Sequence, residues 1–147
     1  MNAKVLAICV SERKGTKKRS VPIAELIEEH GIAGDAHVGS WHRQVSLLAK
    51  ESVDTMRSVM PGLSAGDFAE NILTEGVELK SLPIGTRLRI GDDAVLEITQ
   101  IGKECHSDCE IRRMTGRCVM PTDGVFARVI TGGTVHENDT ITIEELK

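Results

Sequence analysis

A mainly β fold, with a few short helices around a compact, partly closed barrel, is the architecture this chain predicts. Three observations carry that expectation. Short β-like apolar runs recur with glycine-bearing turns between them, one stretch alternates apolar and charged residues, and only one segment has clear helical spacing.

The elements follow in order. Ala3–Val10 reads as a first strand, with Cys9 inside its apolar run as a small core residue. Glu12–Arg19 is a basic loop without the spacing of a P-loop; most such loops are simply solvated, while a flexible cationic loop near a pocket could clamp a phosphate. Val21–Leu26 fits a strand or a short helix equally well. Gln44–Ala49 is short and apolar, as a buried strand is. Glu51–Met60 places Val53, Met56, Val59 and Met60 at helical spacing, and Pro61-Gly62 ends it. Residues 86–101 form the clearest hairpin. There Arg87 and Arg89 alternate with Leu88 and Ile90, and Gly91-Asp92-Asp93 makes the turn. Phe126–Ile130 and Thr140–Ile143 read as closing strands, with turns at Gly132-Gly133 and at 137–139.

Composition narrows the function. The 147 residues suit one domain with a real core, 1–147, and no internal repeat or linker divides it. A net charge of −4 argues against a general nucleic-acid binder. With two phenylalanines, one tryptophan and no tyrosine, the chain lacks the stacking platforms that single-stranded nucleic acid needs. No run approaches the roughly 18 apolar residues that cross a bilayer, so no membrane partner is expected. The N-terminal stretch lacks the layout of a signal peptide, which predicts a cytoplasmic protein with reduced thiols.

The densest chemistry is GKECHSDCEIRRMTGRC, where Cys105, His106, Cys109 and Cys118 fall within fourteen residues. In a reducing compartment such a cluster binds metal or does sulfur chemistry. A helical turn over 108–115, with Lys103, Arg112, Arg113 and Arg117 nearby, would favour reactive thiolates. The same four side chains suit a structural zinc site, although the CxxC pairing is missing and Cys105 and His106 are adjacent. Spacing supports both readings about equally.

A second constellation is GIAGDAHVGSWHRQ (31–44). Asp35, His37, Trp41, His42 and Arg43 offer acid, imidazole, stacking and guanidinium groups, a set suited to an anionic ligand with a ring. A solvated loop whose tryptophan covers a barrel end is the simpler alternative. In GDFAENI (66–72), Asp67, Glu70 and Asn71 suit a pocket, but a turn cap at Asp67 and a backbone bond from Asn71 are the more ordinary roles. Arg128, taken alone, reads as a surface charge on a strand.

Together these strings resemble a small standalone MOSC domain, the family named after the C-terminal domain of molybdenum cofactor sulfurases. The matching segments are GTKK (15–18), GIAGDAHVGSWHRQVSLLA (31–49), GDFAENILTEG (66–76), LPIGTRLRIGDDAVLEITQIGKECHSDC (82–109) and GRCVMPTDGVFARVITGGTV (116–135). The resemblance implies a MOSC-type β-barrel and a role with a molybdopterin-type molybdenum (or tungsten) cofactor, either binding it or handling its terminal sulfur. The family's cysteine, which carries sulfur or ligates metal, corresponds to Cys109. Cys105 becomes a resolving thiol or second metal ligand, and Cys118 assists. Asp35, His37, His42, Arg43, Glu70, Asn71, Lys103, His106 and Arg128 become candidates to hold the cofactor.

The resemblance has one large departure. These residues contain no PLP-dependent desulfurase domain, so sulfur transfer would need a separate donor such as a cysteine desulfurase, and a molybdoenzyme as recipient. A non-catalytic cofactor carrier, a structural zinc-binding interaction domain, and a reductase fragment that depends on electron-transfer partners are the alternatives.

Overall fold

The structure, a computed structural model, describes residues 3–13, 17–36, 38–57, 62–102 and 123–144. In chain order these form β1 (Ala3–Val10), β2 (Arg19–Val21), β3 (Ile23–Ile27), β4 (Gly31–Ile32), β5 (Val45–Ala49) and α1 (Lys50–Arg57). There follow β6 (Ile72–Glu75), a 3-10 turn (Leu79–Ser81), β7 (Arg87–Ile90), β8 (Ala94–Ile101), β9 (Val125–Thr131), β10 (Gly133–His136) and β11 (Thr140–Glu144).

Seven strands make a closed barrel in the order β11-β7-β8-β9-β5-β6-β1. The pairs Ala3↔Ile141 and Lys4↔Thr140 close the ring. Closure removes the open edges that a flat sheet of this size would leave exposed. All neighbours in the ring are antiparallel except β5 and β6, and the helix α1 is the crossover that their parallel pairing requires. A small sheet, β10-β3-β4, adds Leu26, Ile32 and Val135 to the same core.

The expected hairpin is present. Leu88 and Ile90 are buried while Arg87 and Arg89 point to solvent, and Arg87 pairs across to Glu97 at 3.3 Å. The segment Val21–Leu26, ambiguous in sequence, falls in β2 and β3. The helix runs over Lys50–Arg57, and residues 58–61, the remainder of the expected helix and the first residue of its terminator, lie outside the described residues. Asp54 holds both Lys50 and Arg57, at helical spacings of four and three.

Among the described residues, two apolar cores share the barrel wall. The inner one contains Val5, Ile8, Val45, Leu47, Ile72, Leu96, Ile98, Ala127 and Val129. The outer one lies against the other face of the wall, where α1 and the loop of residues 62–69 bring Val53, Met56, Leu63 and Phe68 onto Cys9, Leu48, Leu73 and Phe126. A strand alternates its faces strictly, so one strand can feed both cores. The alternation of β1 changes phase at a bulge between Val5 and Ala7, which lets Val5 and Ile8 both face inward while Ala7 and Cys9 face outward. Cys9 is thus a small core residue, as its apolar run suggests, but it serves the outer core.

Gly66 closes the 62–69 loop onto the chain that leads into β2. Its φ is +88°, and a Cβ there would lie 2.0 Å from the Lys18 carbonyl oxygen. Gly66→Ala should therefore destabilise the fold by about 2–4 kcal/mol in urea unfolding, through clash and strain combined. An unchanged midpoint would contradict this packing.

Candidate functional site

Segments far apart in sequence meet beyond the C-terminal end of β1. The first is the end of the basic loop. Lys18 has a side chain fully buried from solvent, and its ammonium donates to Asp35 Oδ1 at 2.7 Å and to Ser11 Oγ at 3.0 Å. Asp35 Oδ1 also accepts the Ser11 backbone N–H at 3.1 Å. Burial pulls the lysine below its ordinary value, and the hydrogen bond and charge of Asp35 act against that. The loop expected to be solvated thus contains one residue that is fully enclosed. GTKK and GDAH, two strings of the family resemblance, are joined by this pair.

The GDFAENI segment arrives at the same end of β1. Asn71 is fully buried and acts as a cross-link: its Oδ1 accepts the Ser46 N–H at 2.9 Å, and its Nδ2 donates to the Cys9 carbonyl at 3.1 Å. It ties β1, β5 and β6 at one level, the backbone role that its residue type suggests. Asp67 caps a turn by accepting the Ser64 N–H at 2.9 Å. Glu70 is also fully buried, and its carboxyl group accepts the N–H groups of Gly66 at 2.8 Å and Phe68 at 3.2 Å. Burial raises Glu70 to about 7, against the lowering effect of those backbone donors. The neighbouring Cys9 thiol is pushed up to about 12, by burial first and by the Glu70 charge next, so it is no nucleophile at neutral pH.

A second group of side chains lies on the outer face of β8 and β9. The residues before β5 fold over it. His42 Nε2 meets Gln100 Oε1 at 2.8 Å, and Arg43 Nε donates to the same oxygen at 3.2 Å. The Arg43 guanidinium stacks over the Phe126 ring, 5.3 Å from its centroid. Trp41, partly exposed, meets His42 edge-on. The Arg43 terminal nitrogens and His42 Nδ1 have no partner among the described residues. A half-buried guanidinium whose fork is open on this side, beside an imidazole and an indole, has the chemistry to hold an anionic, ring-containing ligand.

Arg128 stands on the same face of β9 as Phe126 but is already engaged, with Glu97 at 3.3 Å and Glu29 at 2.9 Å. His37, Lys103, Cys105, His106, Cys109 and Cys118 lie outside the described residues, as does the helical turn expected over 108–115. The flanks of that stretch are described: just past the last β8–β9 pair, Ile101↔Val125, the Gly102 N–H donates to the Gly124 carbonyl at 2.6 Å. Among the described residues no group of three or more His, Cys, Asp or Glu is placed to hold a metal ion. No helix among them is long and apolar enough to cross a membrane.

The family model for the MOSC domain matches residues 34–142. The chain belongs to the MOSC domain family. No protein of curated function matches it in sequence. Among solved structures, this MOSC domain is similar to the YuaD protein from Bacillus subtilis, at 18% identity over 100% of this chain and 98% of that one, with a TM-score of 0.81. It is also similar to YiiM from Geobacillus stearothermophilus (16% identity, 97% and 75% covered, TM-score 0.75) and to YiiM from Escherichia coli (19%, 100% and 71%, 0.72). At such identities the likeness is one of fold.

Sequence reasoning missed Lys18, Gln100 and Phe126. For Lys18 a signal existed in GTKK, but the charge-rich surroundings mask it. For Gln100 and Phe126 the signal is long-range packing, which no local pattern reports.

Two outcomes follow from this geometry. Asp35→Ala leaves the Lys18 ammonium buried without its carboxylate and should cost roughly 3–5 kcal/mol in denaturant unfolding. A loss under about 1 kcal/mol, the range of exposed ion pairs, would show that the pair is solvated. For Glu70, the folded state holds a proton that the unfolded chain, titrating at the ordinary value of 4.5, has released. Its contribution to stability is therefore full below about 4.5 and is lost as pH rises to about 7. Wild type should lose stability relative to Glu70→Gln across that window, and a difference independent of pH would show that Glu70 folds as a carboxylate.

Proposed function

We propose that this MOSC domain binds a molybdopterin-type molybdenum (or tungsten) cofactor, and that it carries sulfur to it as a cysteine persulfide on Cys109. The observation that carries the reading is the Arg43 fork, open among the described residues, beside His42 and held by Gln100 shortly before the cysteine-bearing stretch begins. The donor set fits the group. Arg43 and His42 would hold the anionic part and Trp41 the heterocycle, with His37, Lys103 and His106 as further ligands. Asp35, Glu70 and Asn71 would contribute indirectly, by fixing the end of β1, the 66–70 loop and the start of β5. Arg128, paired with Glu97 and Glu29, stands on the same wall and is the least direct of these candidates. When bound, the cofactor supplies a soft metal centre for which sulfur is a natural ligand.

The chain's own chemistry is thiol exchange. The Cys109 thiolate attacks the outer sulfur of a donor protein's persulfide, the donor S–S bond breaks, and the donor cysteine leaves as thiolate. The Cys105 thiolate then attacks the Cys109 sulfur. A Cys105–Cys109 disulfide forms and the carried sulfur departs as hydrosulfide, the two thiols having supplied the electrons. A cellular dithiol restores the pair, and Cys118 serves as an auxiliary thiol. The donor is a cysteine desulfurase or an equivalent persulfide protein, the recipient is a molybdoenzyme, and the setting is the reducing cytoplasm. In this reading the domain is a sulfur transferase that works only with its donor.

With a cysteine desulfurase and free cysteine supplied, wild-type protein should acquire a persulfide label that Cys109→Ala abolishes. Undiminished labelling of Cys109→Ala would overturn the assignment, and Cys105→Ala should retain the label but release sulfur more slowly.

A further inference from the structure

We infer that Gln100 is a positioning residue for the anion-binding face, a role that rests on the functional reading of Arg43 and His42 above. Its amide makes three contacts. Oε1 meets His42 Nε2 at 2.8 Å and Arg43 Nε at 3.2 Å, and Nε2 donates to the Gly102 carbonyl at 2.7 Å. Two of those partners fix which end of the amide is which. An arginine Nε–H can only donate and a peptide carbonyl can only accept, so the oxygen faces Arg43 and the nitrogen faces Gly102. The same oxygen then requires His42 Nε2 to carry a proton. In the neutral imidazole this leaves Nδ1 as a bare acceptor, and Nδ1 has no partner among the described residues.

The backbone beneath is built for the task. The β8–β9 register shifts between Ile98 and Gln100, so Thr99 is the extra residue of a bulge. Thr99 Oγ1 donates to the Phe126 carbonyl at 3.1 Å and contacts the His42 carbonyl, anchoring the 41–43 backbone to the strand under it. Thr99 and Gln100 therefore engage the same loop, one through its main chain and one through its side chains. Arg43 is left clamped at Nε and over Phe126, with its terminal nitrogens to offer a ligand. A long cationic side chain restrained in this way loses less rotamer freedom when it binds an anion, which strengthens binding without any contact from Gln100 to the ligand.

The test uses the whole chain, with inorganic pyrophosphate as the probe and NMR observation of the Arg43 Nε–H. Gln100→Met should weaken pyrophosphate binding about tenfold and expose the Arg43 Nε–H to rapid solvent exchange, while the backbone amide spectrum away from residues 41–43 and 98–102 stays in place. Gln100→Glu keeps an acceptor toward Arg43 and should retain the slow exchange. In an Arg43→Ala/His42→Ala background, Gln100→Met should cause no further loss of binding, because its effect passes through those two residues. Unchanged Arg43 exchange in Gln100→Met, or an additional loss in the double-variant background, would overturn the inference. Wild-type protein that ignores pyrophosphate yet shows the Gln100-dependent exchange would uphold the positioning role and remove the anion-binding reading instead.

Discussion

The buried Lys18–Asp35 pair is the constraint on which the site end of this barrel depends. Two charges inside a protein repay little of their desolvation, so the pair is not there to add stability. It acts by making every alternative placement of either loop expensive, since moving one residue abandons the other charge in the interior. Because Asp35 also accepts the Ser11 N–H, both loops are indexed to the end of β1. Asn71 does the same for β5 and β6 through neutral bonds, and Glu70 folds its own loop around a carboxyl group. Three of the family's strings are thereby set in place by side chains that face away from solvent and need never touch a ligand.

That arrangement divides labour between two faces. The buried polar residues hold the loops, and the partly exposed set over β8 and β9 faces outward, where the Arg43 terminal nitrogens and His42 Nδ1 have no partner among the described residues. Phe126 links the halves: it belongs to the outer core with Cys9 and Phe68, and it carries the Arg43 guanidinium on its ring. Cys9 sits in that core with its thiol deeply suppressed, which in the proposed function leaves reactive sulfur to Cys105, Cys109 and Cys118.

Much of the barrel is legible in the sequence because its strands alternate or are uniformly apolar. Ala3–Val10 is delimited to the residue, and the Arg87–Ile101 hairpin announces itself through paired alternation and a Gly-Asp-Asp turn. The strand Ile72–Glu75 is hidden because it is only four residues long and continues a motif that invites a loop reading. The strand β10 opens on Gly133, the second residue of a Gly-Gly pair that reads as a turn, so its pairing with β3 has no local signal. Within the site, residue types are readable but destinations are not. Asn71 and Asp67 do what Asn and Asp ordinarily do, whereas Lys18 looks like a solvated charge because its partner lies 17 residues away. Bulges at Leu6 and Thr99 leave no local signature, yet the second sets Gln100 opposite Phe126, where its side chain meets His42 and Arg43.

In the proposed function, this outward face and the cysteines that follow β8 serve a molybdenum or tungsten cofactor. Elemental analysis of protein purified from a host that makes molybdopterin, reporting Mo, W and Zn per chain, tests it most directly. The account predicts Mo or W at close to one per chain, lost together with bound pterin in Arg43→Ala. Zinc at one per chain with neither Mo nor W would contradict it and make the cysteine cluster a structural site.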